Sequence, residues 1–194
     1  SAQATSVAIS LSLRLTSLRI GSDSAGLAPQ GGISRLATLA LLDARQYRNA
    51  LICTRDGKPG SSRVDPPTCA AWMDPARTLL GAEQEQWLLA QLTEARSTWT
   101  VIGQQVPMWG HFEGPNPASG AMDKWDGYPH SRQRLFSRLV EARTPNPIVL
   151  SGDVHVHFAS DLTLDFRNPD ARVVGTELTN SSISSGGDGS ELAD

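Results

Sequence analysis

Apolar positions along the chain recur with two different periods. Val7, Ile9, Leu11, Leu13 and Leu15 alternate with Ala8, Ser10, Ser12 and Arg14, a period-two strand signal. The stretch from Gly21 to Gly32 reads as a loop. Leu36 to Leu42 is a short apolar run that ends in Asp43-Ala44-Arg45-Gln46-Tyr47-Arg48. That length suits a buried strand delivering polar residues to its end. Residues 49–78 are rich in Pro, Gly, Asp and Arg and predict a long surface excursion, of the kind that is functional or held by a staple.

The period then changes. Gly81 to Arg96 predicts a helix, with Trp87, Leu88, Leu89 and Leu92 on one apolar face. Glu83 and Glu85 fall in its first turns and Arg96 near its end, as the helix dipole favours. Trp99 to Gly103 follows as a strand, with Gln104-Gln105 just beyond it. Residues 106–129 form an irregular loop holding Trp109, His111, Trp125, Asp126 and Tyr128. His130 to Ala142 is a second helix, with Leu135, Phe136, Leu139 and Val140 facing inward and Pro145 and Pro147 ending it. Ile148 to Leu150 is a buried strand that breaks at Gly152-Asp153, and Phe158 to Phe166 and Arg172 to Leu178 are further strands.

Helix then strand, twice over, is an α/β pattern. In such sheets, polar residues just past the strand ends are the usual place for a ligand. Gln104-Gln105 and Asp153-Val154-His155 both occupy that position.

Composition narrows the class. With 39% hydrophobic and 19% charged residues the chain is globular rather than disordered. A net charge of −3 gives no basic footprint for nucleic acid and no polybasic stretch for anionic lipid. No apolar run approaches the roughly 20 residues that span a bilayer, and the sequence starting at Ser1 shows no basic leader. Cys53 and Cys69 flank a Gly/Pro/Ser/Asp-rich stretch. In an exported protein they close that loop as a disulfide; in the cytosol they stay reduced. With no C-x-x-C and no nearby histidine, they do not read as zinc ligands.

The strongest chemical signal is Gly152-Asp153-Val154-His155-Val156-His157. Glycine permits a sharp turn as the chain leaves a buried strand. An aspartate and a histidine two apart in an extended segment point the same way, toward one metal centre. Carboxylate suits hard ions such as calcium, and imidazole suits iron or zinc. The plainer reading is that Asp153 caps a turn and His155 makes an ordinary hydrogen bond; spacing does not choose between them. His157 shares the alternation of His155 or packs beside Phe158, and His111 lies in a glycine-rich loop. Trp109, Trp125 and Tyr128 either line a pocket rim or pin the loop. The Ser/Gly-rich tail after Ser181 is either a linker or a nest of backbone N–H groups for an anion. No G-x-S-x-G elbow, Walker loop or dinucleotide fingerprint occurs, and no catalytic nucleophile is marked.

Several segments, in order, resemble the alkaline phosphatase D family of PhoD-like metallophosphoesterases. They are Leu42 to Arg48, Leu79 to Leu88, Val101 to Gln105, Trp125 to Pro129, Ser151 to His155 and Thr179 to Gly189. The resemblance implies an α/β fold, a two-sheet β-sandwich flanked by helices, here incomplete at both ends. It implies hydrolysis of phosphate mono- or diesters, a cluster of calcium and iron, and a periplasmic or secreted location. By this similarity Asp153 and His155 stand in the family's last metal-binding motif. A metal-activated oxygen nucleophile would there attack phosphorus in line with the leaving alkoxide.

The family's earlier ligand segments, a cysteine near a strand end, G-D-x-x-Y and D-D-H-E, have no counterpart here. The expected organisation is therefore an N-terminal segment of unassigned origin (1–33), a partial PhoD-like domain (34–189) and a short tail (190–194). The chain is expected to need the missing N-terminal half and to be inactive alone. The alternative is a non-catalytic remnant or binding module that keeps the scaffold.

Overall fold

The computed structural model describes residues 17–18, 36–53, 63–64, 69–110 and 120–182. The alternating stretch at 7–15, the loop at 21–32, His111 and the tail beyond Ser182 lie outside the described residues. In chain order the elements are β1 (Ser17–Leu18), β2 (Ala37–Leu41), β3 (Arg63–Val64), α1 (Ala82–Glu94), β4 (Trp99–Gly103) and β5 (Gly120–Ala121). They continue with α2 (Pro129–Glu141), β6 (Pro147–Ser151), β7 (Phe158–Thr163) and β8 (Val173–Thr179).

The main sheet is six-stranded in the order β1-β2-β4-β6-β8-β7. Strands β2, β4, β6 and β8 run parallel, and β1 and β7 are antiparallel edges. β3 and β5 form a separate two-stranded ribbon. Two crossovers, β2-α1-β4 and β4-α2-β6, step the same way across the sheet, and right-handed crossovers put both helices on one face. The helices do pack together: the Arg134 Nε and the Ser131 hydroxyl of α2 both donate to the Glu85 carboxylate of α1.

The core lies between these helices and the sheet. Leu88 and Leu92 from α1 and Leu135, Phe136 and Leu139 from α2 close over Ala40, Ile102, Val149 and Leu162. Each of these leucine, isoleucine, valine and phenylalanine side chains contributes roughly 1.5–3 kcal/mol by leaving water. Both helices start and stop for local reasons. Gly81, at φ +76°, turns the chain into α1 while approaching the backbone of Tyr47, so that a Cβ there would sit 2.9 Å from the Tyr47 carbonyl oxygen. Arg96 lies beyond the last turn of α1, yet its guanidinium still donates to the Thr93 and Ala95 carbonyls there. α2 begins on Pro129, whose missing N–H costs nothing at a first helical position. It ends before the prolines expected to end it. Arg143 adopts φ +51°, and the N–H groups of Arg143 and Thr144 reach back to Val140 and Leu139, a left-handed stop that precedes Pro145.

The other face of the sheet is apolar too, and exposed. Leu41, Trp99, Leu150 and Leu178 are 41–50% exposed. Pairing register places Leu41, Gly103, Leu150, Leu178 and Ala159 in one row across five strands.

Candidate functional site

Because β2, β4, β6 and β8 are parallel, the segments after them emerge at one edge: 42–48, 104–105, 152–157 and 180–181. A cavity of about 910 Å³ opens there, with Gln105, Ser151, His157, Phe158, Leu178 and Asn180 among its lining. The polar segments expected just past the strands do converge at this edge, while Asp153 and His155 are not among the residues lining the cavity.

Glutamines build the edge. Gln105 donates to the Leu42 carbonyl at 2.7 Å and accepts from the Ala44 N–H at 2.8 Å. Gln84 from α1 donates to the Asp43 carbonyl and accepts from the Asp43 N–H. Asp43 folds the loop on itself, accepting from the N–H groups of Arg45 and Gln46 at 2.8 and 2.9 Å. Gln104 donates to the Val106 carbonyl and accepts from the Trp125 indole. The pair just past β4 thus serves as scaffold, its polar groups committed to neighbouring backbone and to the Trp125 indole.

That scaffold aims Arg45 at Asp153. Arg45 Nη2 lies 2.7 Å from one carboxylate oxygen of Asp153, and Lys124 Nζ lies 3.1 Å from the other. Asp123 lies nearby, 3.8 Å from Arg45 Nη1, with its second oxygen buried and without a hydrogen-bond partner. Lys124 is held by the adjoining short turn, where Trp125 and Tyr128 are fully buried and Asp126 is ion-paired with Arg132 at 2.7 Å. Of the two readings for Trp125 and Tyr128, loop pinning is the observed one. The Tyr128 hydroxyl donates to the Asn49 carbonyl at 2.6 Å.

The expectation of an extended Asp153-Val154-His155 is corrected. Asp153 has φ +79° and His155 φ +58°, two left-handed residues in a tight turn, so alternation does not set their directions. Such backbone costs of order 1–3 kcal/mol for a non-glycine residue and persists where the surroundings impose it. Here Ser181 supplies part of that: its hydroxyl donates to the His155 carbonyl at 2.7 Å, and its N–H to His157 Nδ1 at 3.4 Å.

Below the edge, Glu177 of β8 is fully buried on the helix-covered face. Its carboxylate accepts from the N–H groups of Met108 and Trp109, fixing the start of the long loop. Burial raises its pKa above the ordinary glutamate value, against the lowering effect of the Ser151 hydroxyl, those two N–H groups and Arg132.

The contacts of Arg45, Lys124 and Glu177 at and below this edge were not anticipated from sequence. Arg45 sits inside the family-like segment Leu42 to Arg48, and Glu177 is an acid within an otherwise neutral strand, a signal in itself. Lys124 carries no such mark. Cys53 and Cys69 form a disulfide with Cα atoms 5.8 Å apart, against Trp72 and Met122, which settles their pairing.

Fold and edge together define an α/β domain with charged and amide side chains gathered at the carboxyl end of its parallel strands. The family model for PhoD-like phosphatases matches residues 31–193. The chain is 36% identical over 181 residues to alkaline phosphatase D of Bacillus subtilis, covering 92% of this chain and 29% of that protein. The solved structure of PhoD superposes with a TM-score of 0.66 at 36% identity, over 78% of this chain and 28% of that one. The chain belongs to the PhoD-like phosphatase family, and it spans about three-tenths of the length of the curated relative it matches.

A metal cluster does not fit the described residues on their own. Among them no group of three or more His, Cys, Asp or Glu side chains comes together. Both oxygens of Asp153 already face cations.

Proposed function

We propose that the protein to which this chain corresponds hydrolyses phosphate mono- or diesters with metal ions, calcium and iron by family resemblance. Asp153 and His155 form one edge of the metal site, and the remaining ligands come from the N-terminal half of the domain, outside this chain. The partial domain spans 34–189, between the segment 1–33 and the tail 190–194. The observation that carries the reading is family membership combined with a strained, charge-bearing turn at the carboxyl edge of the sheet. Strained backbone concentrates at functional sites.

The exposed apolar face supports the idea of a missing half. Parallel sheets are covered on both faces, and here α1 and α2 cover one. The missing half supplies the second sheet of a sandwich and seats it on Leu41, Trp99, Leu150 and Leu178. A periplasmic or secreted location agrees with the Cys53–Cys69 disulfide. No helix among the described residues is long and apolar enough to cross a membrane.

A chromogenic phosphate diester, offered with calcium and iron to this chain and to one extended upstream, tests the reading. The extended protein turns it over and the present chain shows little or no turnover. Robust turnover by the present chain would sink the claim of incompleteness. An inert extended protein would sink the hydrolase and leave a binding module.

A further inference from the structure

Cys53 and Cys69 join two segments that grip the same turn, residues 122–128. Along the segment that ends at Cys53, Arg48 Nη1 donates to the Asp123 carbonyl at 3.0 Å, and the Asn49 carbonyl accepts from the Tyr128 hydroxyl. Cys69 opens the segment that carries Trp72, whose indole donates to the Asp126 carbonyl at 2.6 Å. Cys69, Trp72 and Met122 form one buried cluster, with Cys53 and Ile52 packed against it. The loop between the cysteines adds a further strap: Arg63–Val64 pairs antiparallel with Gly120–Ala121, just before Met122. Neither cysteine belongs to the core between the helices and the sheet.

The turn is tight. A Cβ on Gly127 would sit 2.3 Å from the Met122 carbonyl oxygen, so its two ends touch. It closes on itself through the N–H groups of Lys124, Gly127 and Tyr128, which donate to the Ala121, Lys124 and Trp125 carbonyls. Cys53 stands at φ +55°, a left-handed backbone that a non-glycine residue keeps only where its surroundings impose it. We propose that the Cys53–Cys69 disulfide is a redox-sensitive clamp on the 122–128 turn. Closed, it joins the two grips and fixes the backbone that carries Asp123 and Lys124. Opened by a low-molecular-weight thiol, it loosens that turn while the sheet stays folded. Cys53 is part-exposed and Cys69 is buried, so the attacking thiolate meets the Cys53 sulfur. A mixed disulfide forms there as the bridge breaks, and Cys69 leaves as a thiolate that takes up a proton. A second thiol then displaces Cys53, leaving two protein thiols and the disulfide of the reductant.

Amide hydrogen exchange in the present chain, followed by NMR before and after dithiothreitol, tests this. Reduction is expected to speed exchange at Lys124, Gly127 and Tyr128 roughly ten-fold more than at Ala142 and Thr144, whose N–H groups close the end of α2. Reoxidation restores the slow rates. Cys53→Ser with Cys69→Ser reproduces the faster exchange and no longer responds to dithiothreitol. Trp72→Phe, with the bridge intact, speeds the same three amides in part, because the bond to the Asp126 carbonyl is gone. Equal rates at the turn in oxidised and reduced protein overturn the proposal. A rise shared equally by Ala142 and Thr144 also overturns it, since the bridge is then a staple of global stability alone. Loss of the whole fold on reduction does the same.

Discussion

Glu177 shows how a single buried group gives the fold a pH dependence. Burial raises its folded-state pKa above the ordinary glutamate value, so the folded protein holds this proton more tightly than the unfolded chain does. Its stabilising contribution is complete below the unfolded pKa and is lost as pH rises through the folded one. Unfolding midpoints in urea should therefore fall as pH rises from about 4.5, and Glu177→Gln should flatten that slope. A slope that survives the substitution assigns the effect to another group. The same residue illustrates the limits of pattern. An acid in Val173-Val174-Gly175-Thr176-Glu177-Leu178-Thr179 was visible, but its partners, the N–H groups of Met108 and Trp109, are nearly seventy positions away.

Among the elements, those with strong periodicity were legible and those made by long-range bonds were not. Trp99 to Gly103 is a strand with the bounds its apolar run implied, and both helices fall within a residue or two of their expected spans. Their apolar faces needed only spacing. Gln104 and Gln105 were legible as a position, just past a strand, but not as a role. Their partners come from the loop after β2 and from the Trp125 turn, which only folding brings near. Removing Gln105 leaves the Ala44 N–H and the Leu42 carbonyl without that partner, at about 1 kcal/mol for each lost bond. Gln105→Ala should lower stability by roughly 2 kcal/mol in chemical denaturation. Amide exchange at Ala44 should quicken by more than the global loss accounts for. Unchanged protection at Ala44 would mean that the loop is held by Gln84 alone.

For the molecule as a whole, the decisive feature is a parallel sheet with helices on one side and apolar side chains exposed on the other. Contiguous exposed apolar surface of this kind marks an interface or an association hazard. Isolated from any covering sheet, the chain should self-associate, as sedimentation velocity would show. Leu150→Glu places a charge in the middle of the Leu41-to-Ala159 row and should shift the population toward monomer while leaving the helix-side core intact. A monomeric parent chain would show that this face is covered from within.

Sequence alone determined the α/β class, the two helices, the central strands and the polar segments at their carboxyl ends. These rest on periodicity and on short-range order, which neighbouring residues encode. It also carried the ordered motifs that point to the PhoD-like family. Tertiary structure decided what the motif residues do: the glutamines brace backbone, Trp125 and Tyr128 fill the core, and Asp153 stands between Arg45 and Lys124. It replaced an assumed extended Asp153-Val154-His155 with a left-handed turn anchored by Ser181. The reason is physical. Periodicity reports which face of an element is buried, whereas a charge or an amide takes its role from partners that only the folded chain supplies.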